Sequence, residues 1–136
     1  MKKLICTLVF LVAPSAFAYN YVSVAGATLP ANGGGTYGQV GKGWADDLNT
    51  AQENALSACG FQECRVLETT NGCISTAYDN ARVVYASRAD DVASSQNTVY
   101  NYCVSNSSSG GCVSWETVCS NGYDSSGQSP AATPLK

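Results

Sequence analysis

Apolar positions recur with a helical period in two stretches of this chain. Leu48, Ala51, Ala55 and Cys59 stand at i, i+3, i+7 and i+11, and Val92, Ser95, Val99 and Cys103 repeat that spacing. Each set lines one face of an amphipathic helix. The segments that follow, 64–70 and 112–119, are rich in Val, Thr and Trp and read as strands, as do 21–25, 73–78 and 82–86. The predicted order is β-α-β-β and then β-α-β. Strand runs with two helices imply an α+β fold in which an antiparallel sheet packs with the helices. Two segments stand outside this order. Residues 26–43 are Gly-rich and predict a long loop. Residues 120–136 carry Ser, Gly and two Pro with little apolar content, and predict a disordered tail.

The two helical stretches belong to a longer internal match. Ala45-Asp46-Asp47-Leu48 recurs as Ala89-Asp90-Asp91-Val92, and at the same offset of 44 Gln52 meets Gln96 and Cys59 meets Cys103. Four residues are then inserted within 107–111. At the resulting offset of 48, Cys64 meets Cys112, Leu67 meets Trp115, and Glu68-Thr69 meets Glu116-Thr117. Cys73 and Cys119 lie near equivalent places, off by two. The series reads as a duplicated helix-strand unit.

The first 18 residues have a different character. Lys2 and Lys3 precede an apolar run from Leu4 to Val12, and Ala16-Phe17-Ala18 has the form of a cleavage site. This is the pattern of a secretory signal peptide of bacterial type. The run is shorter than the roughly 20 residues that span a bilayer. Cleavage after Ala18 leaves 118 of 136 residues and removes two of seven basic residues and none of ten acidic ones, so the net charge is 5 minus 10, or −5. It also removes Cys6 and leaves six: Cys59, Cys64, Cys73, Cys103, Cys112 and Cys119. An even set in an exported protein predicts three disulfides, in the periplasm or the medium. Six Cys allow fifteen connectivities. The duplication suggests one of them, with Cys59–Cys64 and Cys103–Cys112 inside the units and Cys73–Cys119 between them.

Composition excludes several chemistries. The chain has no His, which removes Ser/His and Cys/His nucleophile pairs. No basic excess exists to track phosphates, so no nucleic-acid partner is expected. Gly33-Gly34-Gly35-Thr36-Tyr37-Gly38 matches G-x-G-x-x-G, but no helix follows at once, as a dinucleotide site requires. The Cys spacing fits disulfides better than zinc, and no metal, cofactor or membrane anchor is expected. Asp46, Asp47, Asp90 and Asp91 sit where helix caps and first-turn acids belong. Glu68 and Glu116 recur on equivalent strands. Neither set reads as the convergent carboxyl pair that glycosidase chemistry needs. Trp115, matched by Leu67, reads as core. Tyr37, Lys42 and Trp44, in or beside the Gly-rich segment, are expected to be exposed and to contact a partner.

The helix ending in Cys, the short gap, the Cys-led strand and the third Cys, given twice behind a signal peptide, resemble a family of bacterial exported proteins, domain-of-unknown-function family number 4189. The carrying residues are Ala51, Ala55-Leu56-Ser57-Ala58-Cys59, Cys64, Gly72-Cys73 and Val118-Cys119-Ser120, within roughly 21–120. The family's usual first strand is Trp-Ala-Ala-Ile-Ala-like; here it is Tyr21-Val22-Ser23-Val24-Ala25. The resemblance implies a small exported protein without an established common activity. Some members lie beside secreted toxins, which implies an immunity or inhibitor role for at least a subset. The expected function is therefore a non-enzymatic protein-binding module of the periplasm. Its partner would be a toxin or envelope hydrolase such as a lysozyme, often basic, which an acidic surface would steer. The alternative is a carbohydrate- or envelope-binding structural protein that uses its aromatic residues.

Overall fold

The computed structural model describes residues 18–127. The expected signal peptide up to residue 17 and the expected tail from residue 128 lie outside the described residues. Eight elements follow one another: β1 (Tyr21–Pro30), β2 (Thr36–Ala45), α1 (Leu48–Cys59), β3 (Arg65–Thr70), β4 (Cys73–Tyr78), β5 (Val84–Ala89), α2 (Val92–Asn106) and β6 (Val113–Cys119). The α+β class holds, but the strands form two antiparallel sheets of three, ordered β2-β1-β3 and β5-β4-β6. Each half thus runs strand, strand, helix, strand, with the first strand in the centre of its sheet.

Side-chain alternation along the strands explains the layers. Val22, Val24, Trp44, Ile74, Ala86 and Val118 form a cluster between the sheets, with Val40 and Leu67 packed against it. The intervening positions face the helices. Ala25 meets Ala55, Cys59 and Cys64, and Ala77 meets Val99 and Cys103. The molecule is therefore helix, sheet, sheet, helix, with the main apolar core in the middle.

The segment expected to be a loop is instead a hairpin, paired from Tyr21 opposite Ala45 to Pro30 opposite Thr36. Its glycines have a packing role. A Cβ at Gly41 would run into the Cys59 amide and the Ala55 carbonyl, and one at Gly43 would run into Ala55 and Ala51. These positions let α1 lie directly on the sheet, a use of glycine that sequence patterns do not separate from turn formation. The true turn is the short stretch 31–35, where Gly33, Gly34 and Gly35 all have positive φ.

Both helices start as the acids suggest, with one adjustment. Asp47 caps α1 through the Thr50 amide at 2.9 Å, and Asp91 caps α2 through the Ser94 amide at 2.7 Å. These bonds hold both carboxyls below the ordinary Asp value. The first acid of each pair stands outside the helix, and Asp46 instead accepts the Asn20 amide at 3.2 Å. Under each helix lies the same polar contact. Thr69 Oγ1 meets Ser23 Oγ at 3.0 Å and accepts from Gln52 at 3.0 Å. Thr117 Oγ1 meets Ser75 Oγ at 2.7 Å and accepts from Gln96 at 3.3 Å.

Three disulfides staple the layers: Cys59–Cys64, Cys73–Cys119 and Cys103–Cys112. The first and third tie each helix end to the strand that follows. The second, expected to link the two units, instead joins β4 to β6 inside the second half, because Cys73 opens the first strand of that half and Cys119 closes its last. Such bridges belong to an oxidising compartment, and no described helix is long and apolar enough to cross a membrane.

Residues 120–127, expected to open a disordered tail, are ordered against the fold. Val118 bridges Asp124, the Ser125 amide donates to the Thr117 carbonyl at 3.0 Å, and the Tyr19 amide donates to the Ser120 carbonyl at 2.8 Å.

Candidate functional site

Three segments far apart in sequence meet at one end of the sandwich. The start of β2, the turn between β4 and β5, and the start of β6 line an open groove of about 470 Å³. Tyr37, Tyr78 and Trp115 line it together with Thr36, Gly38, Arg82 and Ser114. The Trp115 ring meets Tyr78 edge to face, with centroids 5.6 Å apart at 88°. Tyr37 and Trp115 keep 38% and 39% of their surface in solvent.

A β-bulge puts Trp115 there. The register between β4 and β6 shifts between Ser75 and Ala77, so that Trp115 and Glu116 together oppose the single Thr76. Thr76 Oγ1 holds the bulge by accepting the Glu116 amide at 3.2 Å. The β1–β3 pair shifts register as well, leaving Leu67 as the extra residue. Leu67 and Trp115 are thus counterparts in the fold, as the offset of 48 suggests. Their environments differ, and the expected burial of Trp115 does not hold: Leu67 packs on the inter-sheet core, while Trp115 lines the groove.

The turn 79–83 forms the other side of the groove and is clamped by a buried carboxylate. Asp79 Oδ1 accepts the Ala81 and Val83 amides at 2.9 and 3.0 Å. Its Oδ2 accepts Tyr85 Oη at 3.1 Å and Ser107 Oγ at 2.6 Å. Burial pushes the Asp79 carboxyl up, but donors from Ser107, Val83 and Tyr85 outweigh it and leave it below the ordinary Asp value. Burial and the bond to Asp79 raise the Tyr85 phenol. The loop 107–111, where the sequence has its four-residue insertion, braces the turn from outside: Asn80 donates its amide to the Gly110 carbonyl at 2.9 Å. The first hairpin braces it from inside, through Thr36 Oγ1 to the Ala81 carbonyl at 2.7 Å and Thr28 Oγ1 to the Arg82 carbonyl at 2.9 Å.

Of the three residues expected to contact a partner, the groove takes in Tyr37 alone. Trp44 is 6% exposed. It lies between the sheets with its indole N–H donating to the Cys119 carbonyl at 2.9 Å, so it is a core residue and not a surface anchor. Lys42, on the same inner side of β2, closes the seam between β2 and β6. Its Nζ lies 3.0 Å from Glu116 Oε2 and 3.0 Å from Asp124 Oδ2, and 2.9 Å from Ser126 Oγ. With 11% of its side chain exposed, its charge is committed inside the molecule. Both corrections have one cause: the segment is a strand, and alternate residues of a strand turn inward. The reading from sequence missed Tyr78 and Arg82. The turn-forming Asp79-Asn80 between Tyr78 and Arg82 was the available signal.

The arrangement defines a class: a small disulfide-stapled sandwich with a helix on each outer face and an aromatic groove at one end. Residues 30–119 match the family described as "Domain of unknown function (DUF4189)", and the chain belongs to that family. No curated protein matches the chain, and no solved structure does.

Proposed function

We propose that this protein is an exported, non-enzymatic binding module of the bacterial periplasm that neutralises a secreted antibacterial toxin or an envelope hydrolase. The groove carries the reading. It combines Trp, Tyr and Arg, the residue types that dominate binding energy at interfaces, on a frame held by disulfides and by a clamped turn. A site fixed before binding loses less conformational entropy on association. Several buried polar side chains in this fold are engaged with one another, as at Ser75, Thr117 and Asp79. Among the described residues, the Trp115 indole N–H and the Arg82 guanidinium make no hydrogen bond within the chain.

The test uses the mature protein as bait for a periplasmic or toxin-containing extract. A partner retained by wild type and lost with Trp115→Ala, with the toxin neutralised by wild type only, is the expected result. Retention unaffected by Trp115→Ala moves the site elsewhere. Absence of any neutralised partner removes the inhibitor reading. One observation favours a second reading, a bound glycan: two half-exposed rings stand beside the hydroxyls of Thr36 and Ser114. Because Trp44 is buried, a change in Trp fluorescence on adding cell-wall oligosaccharides would report on Trp115.

A further inference from the structure

We propose that the turn 79–83 is the inhibitory element and that Arg82 enters the carboxylate-lined cleft of a basic, glycan-cleaving hydrolase of the lysozyme type. This rests on the inhibitor reading above and names its partner's chemistry.

The backbone gives the first argument. Arg82 has φ 63°, the one non-glycine positive φ among the described residues. A left-handed conformation is unfavourable for a side chain with a Cβ. Such strain persists where surrounding contacts over-determine it, and it gathers at ligand clamps. Here the contacts are explicit. The Arg82 amide donates to the Asp79 carbonyl at 2.9 Å, the Arg82 carbonyl accepts Thr28 Oγ1, and Asp79 holds the amides on either side. Asn or Gly would relieve the backbone in a turn that served only to connect two strands.

The side chain gives the second. The guanidinium lies 5.0 Å over the Tyr78 ring, is exposed to solvent, and makes no hydrogen bond or ion pair among the described residues. Lys42 and Arg88, by contrast, both face carboxylates. A planar fork of five donors, steadied on an aromatic face, matches a carboxylate in two-point geometry. Canonical retaining and inverting glycosidases present two carboxyls about 5–10 Å apart in an open cleft. One guanidinium inserted between them would neutralise that charge and block the glycan's path. Tyr37 and Trp115 beside the turn supply apolar area for the rim of such a cleft.

Charge gives the third. The chain carries a net charge of −3, which attracts a basic enzyme at long range, while the local cation docks with its catalytic acids. Long-range steering and short-range pairing then have opposite signs, as an acidic inhibitor of a basic enzyme with acidic catalytic groups requires.

The experiment measures clearing of a cell-wall suspension by three purified basic lysozymes of different structural types, with the mature, disulfide-bonded protein as titrant. Wild type is expected to inhibit at least one of them. Arg82→Gln should raise that inhibition constant at least 30-fold with an unchanged melting temperature, and Arg82→Lys should recover part of the loss. Replacing the enzyme's acid Glu by Gln should weaken binding to wild type and leave binding to Arg82→Gln unaffected. Equal inhibition by Arg82→Gln and wild type overturns the role of the turn and leaves the inhibitor reading standing. Inhibition of none of the three overturns the present inference. A different toxin neutralised through Trp115 would still support the broader reading.

Discussion

The two halves of this protein share one order of elements and differ in how each places its helix. Under α1 the positions on β2 are Gly41 and Gly43, and the helix backbone occupies the space where their side chains would be. Under α2 the topologically matching positions on β5 are Tyr85 and Ser87, and Tyr85 packs into the helix-facing cluster. The hairpin turns diverge in the same direction. Turn 31–35 is built from three glycines whose Cβ positions have nothing within 4 Å. Turn 79–83 has no glycine and is held by Asp79. One half is tight beneath its helix and loose at its turn. The other has a filled helix interface and a rigid turn, and the groove forms where the rigid turn meets the first hairpin.

The largest expected effect tests the tight interface. Gly41→Ala should destabilise the protein by about 3 kcal/mol or more, since overpacking against backbone has little room to relax. Ser87→Ala, at the matching site of Gly43 in the other half, should cost less than about 1 kcal/mol. Urea unfolding of the two variants measures both, and equal losses would remove the contrast.

A similar contrast separates the two seams of the sandwich. Lys42→Met leaves the buried Asp124 carboxylate without its cation and should cost about 3 kcal/mol. Amide exchange should speed up first in residues 123–126. Arg88 is 65% exposed and lies 3.8 Å from Glu68. Its replacement by Met should cost no more than about 1 kcal/mol, as for most surface pairs.

The third test concerns the clamped turn. Asp79→Asn should cost about 2 kcal/mol by weakening charge-assisted hydrogen bonds. It should also change the pH profile. The native Asp79 carboxyl is held below its unfolded value. It therefore stabilises the fold above the unfolded pKa of about 3.9, and that contribution is lost as pH falls through the lower native value. Melting temperatures between about pH 5 and pH 2 should fall less steeply for Asp79→Asn than for wild type.

The smallest effects separate the two turns. Gly34→Ala, at φ 98°, should cost about 1 kcal/mol, while Arg82→Gly should raise stability by up to about 1 kcal/mol. Thermal melts of this pair should move in opposite directions. A loss of stability in Arg82→Gly would mean that its side chain holds the turn.

These contrasts also mark what the sequence could reveal. Both helices were legible because Ala51, Ala55 and Cys59, and Ser95, Val99 and Cys103, repeat with the helical period and are buried. Two of the disulfides were legible because Cys59, Cys64, Cys103 and Cys112 fall at matching places in two similar stretches; Cys73 and Cys119 were paired as a link between units, whereas both belong to the second half. Strand β2 was hidden because Gly41 and Gly43 report the nearness of a helix, a tertiary fact with the local signature of a loop. Lys42 read as a free charge because its partners lie at 116 and 124, beyond any local pattern. The groove draws on residues 36–38, 78–82 and 114–115, and its Trp turns outward through a bulge that pairing alone reveals. Tyr37 was singled out for its place beside glycines; it lies on strand β2 and lines the groove, not in a loop.

The bond from Tyr19 to Ser120 sets the polarity of the molecule. Strand β1 begins there, beside Ala45 and Thr70, and ends at Pro30 beside Thr36. Ten strand residues span roughly 30 Å. The chain enters the sandwich at this pole, and the aromatic groove opens at the other; past Ser120 the chain turns back along β6, where Asp124 bridges Val118 and Ser125 meets Thr117. A carrier, a surface or a neighbouring domain joined ahead of Tyr19 would hold the sandwich by the pole away from the groove, with the groove facing outward.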